Sequence, residues 1–196
     1  MLDYKIENYE HILFPSSERS YDHTLDMRKC GKVTNKDDKN FVIHICLNNQ
    51  QVNKTADLPY PHFMCNSTIF RKRGAGKNDL RIIVCNKSDV DKLLEKDDNY
   101  IVALYHEIGH FHYSDEQDKK YSDDKYRWQQ IKLGKVPKDE ILADSFAAKA
   151  LGKERVIKAL QTFHSLFMMS PDYNCDEGKR IIKEFELRIA ALKKDN

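Results

Sequence analysis

The sequence predicts an α+β fold in which a small N-terminal sheet of antiparallel type is followed by a mainly helical half. Two observations carry this. β-Rich apolar runs cluster between Phe41 and Asn86, whereas from Asn99 to Lys194 apolar residues recur at helical spacing. A third observation sets the scale: 196 residues are ample for one core and short of two full domains, so residues 1–196 are read as a single domain. Within it, residues 1–40 are a polar, turn-prone N-terminal segment, residues 41–98 a strand-rich part and residues 99–196 a helical part.

Phe41 to Leu47 reads as the first strand. His62 to Phe70 and Arg81 to Asn86 follow as a hairpin, joined by the charged, glycine-containing turn Arg71 to Asp79. The next apolar stripe, Ile101, Leu104, Ile108 and Phe111, has spacings of three, four and three and predicts a helix over Tyr100 to Tyr113. Further helices are expected over Asp123 to Leu133, Lys138 to Leu151, Lys153 to Met169 and Cys175 to Lys193.

The helix from Tyr100 carries His106-Glu107-Ile108-Gly109-His110, an HExxH pattern. Two imidazoles four residues apart on a helix stand one turn above each other, so both can reach one ion. At about 100° per residue they point away from the apolar stripe. Glu107 is turned from them by about 100°, so its carboxylate can stand beside the ion without ligating it and take a proton from metal-activated water. Gly109 is costly inside a helix, which predicts that another backbone packs closely there.

A zinc peptidase site needs a third protein ligand and an open position for water. Glu140 is the candidate, with Asp144 one turn further along the same helix and the small residues Ala147 and Ala148 on their face. HExxH followed after about 30 residues by a helix bearing Glu-x-x-Ala-Asp resembles the gluzincin metallopeptidases, especially the HtpX-type branch and its small soluble minigluzincins. The resemblance covers Arg81 to Leu151. It implies a zincin-like fold, zinc held by His106, His110 and Glu140, and a hydrogen bond from Asp144 that orients a ligating histidine, His106. It also implies that the strand just before the metal helix, here Arg81 to Asn86, offers an edge to which peptide adds as a β-strand, with a buried central strand as the alternative. Outside this stretch the likeness thins: Ser170-Pro171 stands where the family often has His-Pro, and Arg188-Ile189-Ala190-Ala191-Leu192 is a faint echo of its Arg-Ile-x-x-Leu helix.

Other zincin types fit less well. A metzincin needs a glycine three residues and a ligand six residues after the second histidine, where this chain has Tyr113 and Glu116. ImmA-type regulatory peptidases also combine a helical HExGH with a later glutamate, but commonly carry Asn at the position of Asp144. A zincin-like binding or adaptor module is a third alternative; an intact Glu107 argues against it, because a purely structural site needs no general base. The reaction expected is hydrolysis of peptide bonds in a protein or peptide, with Glu107 as general base and an oxyanion held by one of His164, Tyr113, Tyr126 or Tyr173.

Composition narrows the partners. The formal net charge is only +2, acidic residues interleave with lysines, and the Arg71 to Lys77 loop lacks clustered aromatics, so no nucleic acid is expected. That loop also fails as a phosphate loop, having Arg71 and Asn78 where Gly and Ser or Thr are required. The 5 cysteines are widely spaced without a CxxC pair, and Cys46, Cys65 and Cys85 fall in strands as core residues. No apolar run is long enough to span a membrane and Met1 to Lys5 does not begin a secretion signal, so a cytoplasmic protein with reduced thiols is expected.

Overall fold

The computed structural model describes residues 9–18, 27–38, 41–48, 64–65, 81–113 and 124–194. The fold is α+β, a mixed sheet followed by helices. The chain groups into two compact units, one ending at Asp97 and the other beginning its helices at Asp98.

The first unit is built on β1 (Tyr9–Glu18), β2 (Met27–Asn35), β3 (Val42–Asn48), β4 (Met64–Cys65) and β5 (Arg81–Cys85), in the sheet order β1-β2-β3-β5-β4. β1, β2 and β3 form an antiparallel meander, but β5 pairs parallel to β3, from Ile43 opposite Arg81 to Leu47 opposite Cys85. The sheet is therefore mixed, which corrects the antiparallel expectation. β5 suits an interior parallel place because Ile82, Ile83, Val84 and Cys85 are buried in succession, so both of its faces are covered. On its other side Met64 and Cys65 pair with Val84 and Ile83, so β5 is not the free edge that the resemblance implied. The rest of the expected strand His62 to Phe70, and the Arg71 to Asp79 turn, lie outside the described residues.

Two further expectations change. Residues 1–40, read as a polar segment, contain β1 and β2, and the strand-rich part 41–98 contains a helix, α1 (Lys87–Leu94). In β2, Cys30 and Val33 are buried among lysines, but an irregularity between Lys29 and Gly31 breaks the two-residue alternation. At the start of α1 the Asn86 N–H donates to the buried Asp89 carboxylate at 2.8 Å, satisfying a donor that the helix itself cannot.

The second unit comprises α2 (Asp98–His112), α3 (Asp124–Lys132), α4 (Lys138–Leu151), α5 (Lys153–Met168), a short 3-10 turn (Pro171–Asn174) and α6 (Asp176–Lys194). These bounds match the helices read from periodicity to within two residues at each end. Gly152, with φ of 97°, turns the chain between α4 and α5 in a conformation that side chains resist. The helices share a core of Val102, Ala147, Val156, Ile157, Ala159, Leu160, Phe163 and Leu192. Among the described residues no helix is long and apolar enough to cross a membrane.

Candidate metal centre

The helical unit brings the sequence-predicted residues together. His106 and His110 stand one turn apart on α2, with their Nε2 atoms 3.1 Å apart. Glu140, in the first turn of α4, places Oε2 3.2 Å from His106 Nε2 and Oε1 3.6 Å from His110 Nε2. All three residues are largely buried, and a ligand atom from each lies within 4.8 Å of the others. Ligands about 2.0–2.1 Å from a tetrahedral zinc are separated by roughly 3.3 Å; Glu140 meets the two histidines through different oxygens, so these distances do not close one triangle, but the group could hold a metal ion.

Close approach of α2 and α4 makes this possible. A Cβ on Gly109 would stand 2.8 Å from Ala143 Cα and 3.0 Å from Phe146 Cβ, so only glycine lets the two helices meet here. The contact falls at Ala143 and Phe146, on the turn beside Asp144, and both are fully buried. The His112 ring packs on Phe146, with centroids 5.0 Å apart, consistent with a packing role for that histidine.

Asp144 lies behind His106. Its Oδ1 lies 2.9 Å from His106 Nδ1, where a carboxylate can only accept and so favours a proton on that nitrogen, leaving Nε2 toward His110 and Glu140; Arg188 Nη2 also approaches Nδ1, at 3.1 Å. Two arginines complete the surroundings. Arg188, on α6, donates through Nε and Nη2 to both oxygens of Asp144, at 2.8 and 2.6 Å, and its Nη1 reaches Glu140 Oε2 at 3.0 Å. Arg127, on α3, donates from Nη2 to Glu140 Oε1 at 2.8 Å and to Glu184 at 3.1 Å, and from Nη1 to Asp139 at 3.1 Å.

Four carboxylates, Glu140, Asp144, Asp139 and Glu184, thus face two guanidiniums. Burial opposes charge on Glu140, but Arg188 and the histidines outweigh it and hold the carboxyl well below the usual range. Its place at the positive end of α4 acts in the same sense. Asp144 is likewise held low against burial, chiefly by Arg188. Burial lifts the Asp139 and Glu184 carboxyls. At His106, burial and Arg188 oppose a proton, yet Glu140 and Asp144 prevail and raise its pKa to about 10. Burial, aided by the charge on His106, lowers His110. The excess negative charge can therefore be met by a proton on His106 or by a dication, and the two compete for the same Nε2.

Glu107 follows His106 on α2 and is half-buried. Of the residues considered for an oxyanion, Tyr126 precedes Arg127 on α3, Tyr113 follows the last residue of α2 with its ring 6.4 Å from that of Phe146, His164 is on α5 and Tyr173 is in the 3-10 turn. Glu116, the alternative ligand, lies outside the described residues. Arg127 and Arg188 were missed as site residues in the sequence. A signal did exist for Arg188: it occupies the inward stripe of α6 with Phe185, Ile189 and Leu192, where a cation needs a buried anion. Comparison with protein-family models, curated proteins and solved structures finds no match.

Proposed function

We propose that the chain is a zinc-dependent metallopeptidase of the gluzincin type, with His106, His110 and Glu140 as metal ligands and Glu107 as general base. The observation that carries this reading is the convergence of two imidazole nitrogens 3.1 Å apart on one carboxylate, whose Oε2 is 3.2 Å from His106 and whose Oε1 is 3.6 Å from His110, backed by Asp144 on the far nitrogen of His106. Nitrogen and carboxylate donors in this number suit zinc and leave a fourth position open. A zinc ion held by these residues would supply Lewis acidity, lowering the pKa of water to about 7 and polarising a carbonyl.

The chain's own groups do the rest. Asp144 keeps the proton of His106 on Nδ1, so that Nε2 presents a lone pair. Glu107, half-buried one residue along α2, accepts the proton of the attacking water and returns it to the leaving amine. The substrate class is a protein or peptide. Glu107→Gln tests the assignment, because the amide keeps the shape of the side chain but cannot accept a proton. The variant should retain zinc and fold while losing cleavage of a peptide library by about 100-fold or more. Undiminished turnover would remove Glu107 from the mechanism, and a zinc-loaded wild type that cleaves nothing would favour a binding module instead.

A further inference from the structure

Glu140 is gripped from two sides. Arg188 Nη1 holds Oε2 at 3.0 Å and Arg127 Nη2 holds Oε1 at 2.8 Å, so the plane of the carboxylate is fixed by groups from α6 and α3. Neither cation can ligate a metal, and neither is in the HExxH pattern. We propose that Arg127 and Arg188 form a guanidinium clamp that presets Glu140, and through Asp144 also His106, for metal binding. The proposal rests on the reading of His106, His110 and Glu140 as a metal centre.

The geometry exploits the rigid fork of arginine. In Arg188 the Nε and Nη2 edge is occupied by both oxygens of Asp144, which leaves Nη1 for Glu140. One planar group therefore ties the carboxylate behind His106 to the third ligand, and turning either would strain the other. Arg127 is itself restrained by Asp139 and Glu184, each at 3.1 Å, so its contact with Glu140 belongs to a network. A glutamate with three free torsions would have to be immobilised when the metal enters; here it is immobilised beforehand. Both arginines are positioning residues, since they act only through Glu140 and Asp144.

A purely structural role, in which the guanidiniums only neutralise buried carboxylates, makes a different prediction. Lysine preserves the charge but not the fork, so it should suffice for neutralisation and fail for positioning. The apo-protein and its Arg127→Lys, Arg127→Met and Arg188→Lys variants would be titrated with cobalt(II), following affinity and the visible spectrum of the bound ion, with circular dichroism as the check on fold. The clamp predicts that Arg188→Lys loses about 10–100-fold in affinity and Arg127→Met about 10-fold, with altered cobalt bands in both and only partial recovery in Arg127→Lys. Wild-type affinity and spectrum in folded Arg127→Met and Arg188→Lys, or complete recovery with lysine at 127, would overturn it. If Arg188→Lys does not fold, the Arg127 pair decides alone. Failure of the wild type to take up cobalt or zinc would remove the metal centre itself, whereas uptake that is equal in wild type and variants would remove only the clamp.

Discussion

Both units of this chain bury side chains of the kinds that bind transition metals, but among the described residues only the helical unit brings such donors together in a group that could hold an ion. In the sheet unit, Cys30, Cys46 and Cys85 lie buried on neighbouring strands. The thiols of Cys30 and Cys85 donate to the carbonyls of Ile45 and Cys46, each at 3.4 Å. Burial pushes Cys46 up to about 12, and a hydrogen bond with Cys30 together with burial lifts Cys85 well above its ordinary value. Cys46 and Cys85 are thus held as neutral thiols, and the thiolate is the form that ligates. In the helical unit, burial is just as severe, but arginines support the charged form of Glu140 and Asp144, and the donor atoms point at one another. Buried donors become a site when their lone pairs converge and the ligating protonation state is stabilised.

The largest expected effect separates the two clusters outright. With free zinc at about 100 times its dissociation constant, the free energy of unfolding should rise by about 2.7 kcal/mol, as read from urea denaturation. His106→Ala and His110→Ala should abolish that gain, while Cys46→Ala should keep it. Loss of the gain in the cysteine variant would show that the comparison has the wrong cluster. The same zinc affinity should increase with pH toward about 10, because His106 must release the proton that its carboxylates hold.

A smaller effect is expected from Asp144→Asn, which keeps the shape behind His106 but removes the charge. Zinc affinity or turnover should fall by ~10–100-fold with the fold retained. Wild-type affinity in a chelator competition would reduce Asp144 to a buried partner of Arg188.

Next, Gly109→Ala probes the helix contact rather than the ligands. Alanine favours a helix, but its Cβ would meet Ala143 Cα at 2.8 Å, so α2 and α4 must part. The expected net loss is ~1–3 kcal/mol of stability, together with weaker zinc binding. A variant more stable than wild type would mean that the close approach is dispensable.

The smallest effect belongs to the thiols. Cys46→Ala should cost about 1 kcal/mol in packing and leave zinc content unchanged. A change in zinc content would give the sulfurs a role that their protonation argues against.

The helical half was legible because periodicity over long segments survives local detail: α4 begins and ends where the spacing of its apolar residues predicted. That His106 and His110 share one face, and Glu140 and Asp144 another, was legible for the same reason; that the two faces meet was implied by the resemblance and not by spacing. The sheet was less so. β1 and β2 carry many polar residues, and the irregularity at Lys29 and Gly31 interrupts the alternation that would have marked β2. The parallel pairing of β3 with β5 depends on strand order, which no local pattern encodes. Arg127 reaches Glu140 from a different helix, and no spacing in the sequence relates the two.

Whether the helical unit holds zinc at all is read from metal analysis of the purified wild-type chain. Elemental measurement after gel filtration in metal-free buffer with limiting added zinc should give about one zinc per chain. A chain that remains free of zinc, although folded by circular dichroism, would contradict the account.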